Sequence, residues 1–354
     1  MFLAWNEIKR NKLRFALITG VLMLVAYLVF FLSGLATGLK DLNRESVDKW
    51  IATAIILTEE SDKSIYQSSM LLGQAADVDA EEVAVIGQLT AIAGNGSSKK
   101  NVSIFGIRDD EFLMPEVTEG KPFAGENEVI ADDSLKEEGF GIGDELHLSS
   151  SDEKLTIVGF TDKARFNAAP VLYADLDTFH KVKFGEGAEA NNDRINGIVI
   201  RNGGTDTVTD NALQVIEIEE FIQNLPGYTE QNMTLTFMIY FLFAISAVIV
   251  AIFLYVLTVQ KISMFGVMKA QGISNFYLSR SVIAQTFVLA AIGVIIGFAL
   301  TLVTGAFLPA AVPVSFDLPT MVLYGAVLVA VAIAGAVFSV LTIVRIDPLK
   351  AIGG

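Results

Sequence analysis

No cysteine occurs among the 354 residues, so neither a disulfide framework nor a thiolate metal site is available. Only two histidines are present, His147 and His180, and both fall far inside an acidic stretch where a structural or surface place is expected. A GxxxxGK[ST] phosphate loop is missing, which excludes ATP hydrolysis by that route within this chain. No nucleophile–base set stands out, and no enzyme activity is expected. Charge is missing where it would matter for an ion-coupled carrier: no Asp, Glu, Lys, Arg or His lies midway along any long apolar run. The energy for any transport must then come from outside the chain.

Apolar residues make up 52% of the sequence and the mean hydropathy is +0.52, yet the formal net charge is -15. The two properties are segregated. Residues 41–228 hold 36 of the 40 Asp and Glu but 15 of the 25 Lys and Arg, a local balance of -21, while the remainder carries +6. Four runs, near 15–38, 235–259, 278–308 and 320–344, are long enough to cross about 30 Å of hydrocarbon at 1.5 Å per residue. The first exceeds the ~7–15 residues of a signal h-region and reads as an uncleaved anchor.

Lys9, Arg10, Lys12 and Arg14 precede the first run. Lys261, Lys269 and Arg280 lie between the second and third, and Arg345 and Lys350 follow the fourth. By the positive-inside rule all three groups are cytoplasmic, both termini are inside, and the acidic block is outside. The expected fold is an α-helical membrane protein: four transmembrane helices, with an α/β extracytoplasmic domain inserted between helices 1 and 2. Its expected organisation is a cytoplasmic N-terminal helix 1–14, a first span 15–40, the outer domain with its stalk 41–228, and a second span 229–259. A cytoplasmic loop or helix 260–276, a third span 277–308, an outer loop 309–318, a fourth span 319–344 and a cytoplasmic tail 345–354 complete it. Such a chain sits in the plasma membrane against its lipids, and no nucleic-acid partner is expected.

Within the outer domain, β-branched or alternating runs predict strands at 54–57, 102–107, 128–131, 155–160, 171–174 and 197–201. Helical spacing predicts helices over 175–183 and 206–223. The carboxylate pairs Asp109-Asp110, Asp132-Asp133 and Glu137-Glu138 read as solvated surface. Gly34 with Gly38, and Gly293 with Gly297, have the four-residue spacing that lets helix backbones approach. The loop after the second run is mixed apolar and basic and ends in Gly272. It suits a short helix docking into a groove on a cytoplasmic protein, or equally a plain connecting turn.

That loop, Phe265-Gly266-Val267-Met268-Lys269-Ala270-Gln271-Gly272-Ile273-Ser274, resembles the G-[IV]-x-[KR]-A-x-G-x-S signature of MacB-type, or FtsX-like, ABC transporter permeases. The ending Arg345-Ile346-Asp347-Pro348-Leu349-Lys350-Ala351-Ile352 resembles their closing R-x-x-P-x-x-A-[IL] pattern. Glu128-Val129-Ile130-Ala131 followed by Gly139-Phe140-Gly141-Ile142-Gly143-Asp144 is similar to a strand and G-x-x-x-G-D turn found there. The resemblance covers nearly the whole chain. It implies a homodimer bound to two copies of a separate ABC ATPase, which carries the ATP and Mg, and motion relayed across the membrane by mechanotransmission. Met264, Phe265, Gly266, Val267, Met268, Lys269 and Ala270 would then be the coupling element. Gly266 would admit the ATPase surface, with Phe265, Val267 and Met268 as anchors.

Within the family, Leu3-Ala4-Trp5-Asn6-Glu7-Ile8 and Tyr27-Leu28-Val29-Phe30-Phe31 resemble the haem-exporting branch. Haem would be transported substrate, with no permanently bound cofactor and no intrinsic metal. Aromatic and aliphatic walls with a Met, Tyr or carboxylate ligand suit that macrocycle. The candidates are Phe30, Phe31, Glu45, Tyr228, Glu230, Met233, Phe237, Met238 and Tyr240, with Met233, Tyr228 or Glu45 on the iron. The competing readings are export of a lipid, lipoprotein or antimicrobial peptide, and transmembrane signalling without transport.

Overall fold

The computed structural model describes residues 12–203, 208, 210–309 and 312–344. Of the expected N-terminal helix 1–14, residues 1–11 lie outside the described residues, as does the closing segment Arg345–Pro348, and residues 12–14 already belong to the first long helix. By internal contacts the chain forms two units, one of residues Lys40–Gln231 and one of Met1–Leu39 with Asn232–Gly354.

The membrane unit is helical. Helix α1 runs Lys12–Lys49, α4 Tyr228–Val259, α5 Ile262–Ala270, α6 Asn275–Phe307 and α7 Leu318–Val344, with α2 and α3 belonging to the other unit. Four of these are long and apolar enough to span a bilayer. At 1.5 Å per residue α1 is roughly 57 Å long, nearly twice the hydrocarbon thickness. Its last turns carry Lys40, Asp41, Arg44, Glu45, Asp48 and Lys49, so the charged end lies beyond the membrane-spanning part and belongs to the acidic unit.

Small residues set how the helices meet. A Cβ on Gly297 would lie 2.8 Å from the Ala26 Cβ and 2.9 Å from the Tyr27 backbone nitrogen, and one on Gly293 would lie 2.9 Å from the Leu22 Cβ. These two glycines therefore join α6 to α1 backbone to backbone. Gly34 and Gly38 differ from expectation: they receive the loop before α7 rather than a helix. Gly34 faces the Phe316 ring, Gly38 faces the Pro313 carbonyl, and Ser315 N–H donates to the Gly34 carbonyl at 3.0 Å. Gly335, not singled out from sequence, brings α7 against the Ala247 carbonyl of α4.

The acidic unit is built on an 11-stranded mixed sheet. Its longer strands are β1 (Ala54–Thr58), β2 (Glu82–Gly94), β3 (Lys99–Ile107), β4 (Glu128–Asp132), β5 (Glu145–Leu148), β6 (Lys154–Thr161), β7 (Ala169–Asp175), β8 (Gly197–Arg201) and β9 (Leu213–Glu217). The order is β9-β1-β8-β2-β3-β7-β4-β6, with β5 bridging β2 and β6. β3 pairs with β7, and β4 with β6, in parallel; the other pairings are antiparallel. Both faces are covered, so neighbours in one strand enter opposite cores. Ile56 and Leu172 pack on one side, under Phe179 of α2 (Leu176–Phe184); Ile55 and Tyr173 pack on the other, with Trp50 and with Phe221 of α3 (Ile218–Gln223). Burial on both faces explains why several strands read as continuous apolar runs.

Two expectations need correction. The spacing predicts a helix over 206–223, yet 213–217 form β9, and among the described residues of that range the helix is confined to Ile218–Gln223. The free edge of β1 recruits that segment through five antiparallel residue pairs, and ladder pairing overrides local periodicity. Asp132 is not surface: it is buried, accepts from the Ala164 N–H at 2.8 Å and the Ser134 N–H at 3.1 Å, and faces the Arg165 guanidinium at 3.7 Å. His180 is likewise structural, its Nε2 bonded to the Arg194 carbonyl at 2.7 Å, while His147 is exposed on β5.

Candidate functional site

Helix α5 is a separate nine-residue turn of chain between α4 and α6. It ends in the way a glycine permits. Gly272 has φ +87°, Gly272 N–H bonds the Lys269 carbonyl at 2.9 Å, and Ile273 N–H bonds the Met268 carbonyl at 3.0 Å. Ser274 then caps α6 by accepting from the Tyr277 N–H. The two caps set the angle at which α5 leaves α6.

Phe265 is 5% exposed and packs on Leu278 and Val282, with Met268 and Ile273 at the edge of the cluster. Gly266 is also buried. Neither is a surface anchor: Phe265 turns toward the first two turns of α6 and Gly266 is covered beside it. The exposed face is Met264, Val267 and Ala270, spaced by three residues each, and Lys269 donates to the Val344 carbonyl at 3.2 Å. Phe276 (76% exposed) and Tyr277 add large apolar surface at the first turn of α6. The sequence does not single these two out, because they fall at the boundary between the expected loop 260–276 and the expected span 277–308. Lys261, just before α5 and outside the spanning helices, has its ammonium pushed down to about 8 by burial.

The substrate candidates separate by unit. In the membrane unit, Phe30 is 1% exposed and packs edge-on against Phe298, ring centroids 5.6 Å apart, so it is a core residue and offers no wall. Phe31 is half-buried and stacks on Tyr27. Met233, Phe237, Met238 and Tyr240 are all more than half exposed on α4. Met233, Phe237, Tyr240 and Phe241 follow the i, i+4, i+7, i+8 spacing of one helical face. Helix α4 is also the least covered span, with 22% of its apolar window buried against 33% to 39% for the others.

In the acidic unit, Tyr228 is buried in the core beneath Trp50 and is engaged by Arg44, which removes it as an accessible ligand. Glu230 is exposed in the first turn of α4. Glu45 is half-buried beyond the spanning part of α1. Burial pushes its carboxyl up to about 7; Arg165 opposes the shift, and Asp132 and Asp41 add to it. A carboxyl held between Arg165 and Asp132 is placed for structure rather than for iron.

Comparison with known proteins accounts for both parts of this arrangement. Residues 15–215 match the MacB-like periplasmic core domain, and residues 236–348 match the FtsX-like permease C-terminal domain. The chain belongs to the MacB/FtsX-like family of ABC transporter permeases. The permease is 25% identical over 357 residues to a Staphylococcus haemolyticus protein that carries the name hemin transport system permease protein HrtB, covering 100% of this chain and 99% of that one. A protein of the same name from Staphylococcus epidermidis is 26% identical over 368 residues, with the same coverage. An uncharacterised ABC transporter permease of Mycobacterium tuberculosis is 22% identical over 365 residues, again 100% and 99%. Among solved structures, the extracellular domain of the noncanonic ABC-type transporter YknZ from Gram-positive bacteria aligns with a TM-score of 0.34 at 13% identity, covering 47% of this chain and 100% of that one. As an ABC permease, the protein is a transporter subunit and not an enzyme, and it works with an ATPase partner.

Proposed function

We propose that the permease is the membrane half of an ATP-driven haem exporter. In this reading it is a homodimer in the plasma membrane, both termini cytoplasmic and the acidic unit outside. Two ATPase copies dock on α5 and supply ATP and Mg. Their closure is relayed through the spans by mechanotransmission, since no ionisable group in mid-span could couple an ion gradient to the movement.

The observation that carries the reading is the exposed face of α4. Met233, Phe237 and Tyr240 line one side of a helix that the other described residues leave largely uncovered. A flat apolar macrocycle gains dispersion contact with such aromatic rings, and a thioether is an iron ligand. With Tyr228 in a core and Glu45 beside Arg165, Met233 is the candidate ligand that remains exposed. The names of the staphylococcal relatives support the same cargo.

A haem titration of the purified full-length chain, followed by Soret absorbance, tests this. A saturable shift that Met233→Ala weakens by about tenfold or more, the loss of roughly one ligand bond or 1.4 kcal/mol upward, is the expected result. No saturable shift would leave an ABC permease for another amphipathic cargo, such as a lipid, lipoprotein or peptide, or for signalling.

A further inference from the structure

Helices α1 and α6 touch at Gly293 and Gly297 and leave a groove toward the Lys12 end of α1. It has a volume of about 520 Å³ and almost wholly apolar walls, with Phe15, Thr19, Gly20, Met23 and Leu289 among its lining. The cause is local. Leu22 and Ala26 are pressed against α6, whereas a Cβ placed on Gly20 meets nothing within 4 Å. Phe15 and Leu289 are buried and form the floor, part of the cluster that also holds Ile18 and Leu22. Lys12 is exposed and is the one charged residue in the lining among the described residues. A second ammonium, that of Lys261, stands 5.7 Å from the centroid of the Phe15 ring.

We propose that this groove binds one anionic phospholipid, its acyl chain along Gly20 and Met23 and its phosphate at Lys12. In hydrocarbon an unfilled groove forgoes dispersion contacts that an acyl chain restores. The acyl chain alone would not select a headgroup, but the exposed Lys12 ammonium in the lining does. A basic residue near the membrane surface favours anionic over zwitterionic lipid by about fivefold. The leaflet is the one on the Lys12 side, which is the cytoplasmic leaflet on the orientation proposed above; the binding itself does not depend on which cargo is exported.

The test uses the full-length chain in detergent with equimolar phosphatidylglycerol and phosphatidylcholine, and native mass spectrometry to count bound lipid. Wild type is expected to retain one phosphatidylglycerol per chain with a preference of about fivefold. Lys12→Gln should lose the preference, and Gly20→Leu, whose side chain enters open space, should lose the retained lipid at an unchanged thermal midpoint. Equal binding of both lipids by wild type overturns the proposal. So does Gly20→Leu retaining lipid like wild type, or dissociating the oligomer with lipid binding unaltered, which would make the groove a contact between copies. Lys12→Gln decides the matter alone if Gly20→Leu does not fold.

Discussion

Lys49, the last residue of α1, is bonded to Asp162 at the end of β6: its ammonium donates to the carboxylate at 3.0 Å and also to the backbone carbonyl of the same residue. Thr161 accepts from it as well, at 3.0 Å. About two turns earlier, the N–H groups of Asn167 and Ala168 donate to the Asn43 and Leu42 carbonyls, each at 3.0 Å. Both donors sit in a two-residue turn at φ +49° and +64°, a left-handed conformation that an alanine adopts only at some cost. Trp50 then closes the end of the helix against Phe105 and Phe221. The charged end of α1 is thus fixed to the sheet by polar and apolar contacts together, and a displacement of that end displaces the sheet.

The two kinds of contact should separate on mutation. Trp50→Ala, at 2% exposure, is expected to lower stability by about 3–5 kcal/mol. Lys49→Ala removes a part-exposed pair worth about 0–1 kcal/mol and should leave the thermal midpoint nearly unchanged while weakening the coupling of ATP hydrolysis to transport. Thermal unfolding and ATPase-to-transport ratios in proteoliposomes measure the two effects. Equal loss of stability in both variants would contradict the division.

Glu45 makes stability depend on pH in a defined direction. Its folded-state pKa of about 7 lies above the ordinary value of 4.5, so the fold disfavours the carboxylate. The penalty is absent below about pH 4.5, grows as pH rises toward 7, and is fully present above it. Glu45→Gln is expected to match wild type near pH 4.5 and to be more stable at pH 8, by about 1 kcal/mol after allowance for solvent screening at a half-exposed site. Thermal midpoints of both proteins across that range decide it; a gap that is constant with pH would not fit.

At α5, the buried and exposed residues should behave oppositely. Val267→Asp changes only the exposed face and is expected to weaken ATPase association at least tenfold, measured by co-purification, with little change in thermal midpoint. Phe265→Ala empties the small cluster with Leu278 and Val282 and should cost about 3–5 kcal/mol locally, seen as faster hydrogen exchange over α5. Gly266→Glu would place a charge in a buried position and so report on folding rather than docking.

Gly297→Ala is expected to destabilise by about 1–3 kcal/mol, because the new methyl meets α1 backbone and Ala26 at 2.8–2.9 Å and the helices must separate. Gly20→Ala, in open space on the facing helix, should instead be neutral or stabilising by up to about 1 kcal/mol. Unfolding midpoints in one detergent compare them directly.

Much of the architecture was legible along the chain. The four spans are long one-dimensional apolar runs, and the six strands expected from β-branched runs are all present, each within the ±2–4 residues that local signals allow. Strand β2, the central one, was missed: in Glu82–Gly94 small residues and Gln88 dilute the apolar pattern, and its position between β8 and β3 comes from pairing with distant segments. The site was less legible. Met264 and Val267, both expected in the coupling element, are exposed; Phe265 carries the same apolar signal yet faces inward, and Phe276 and Tyr277 straddle the boundary between the expected loop 260–276 and the expected span 277–308.

What the sequence by itself determined is the partition of the chain: which segments enter lipid and which stay in water. Those follow from transfer free energies summed over consecutive residues, and position in space does not enter. Only the tertiary structure decided which way each aromatic faces. Phe30 and Phe237 are equally apolar, but Phe30 meets Phe298 of α6 and is buried, whereas Phe237 stays more than half exposed among the described residues. That difference is a matter of which helices the close-packed glycines bring together, and it is the difference between a core residue and a candidate wall for substrate.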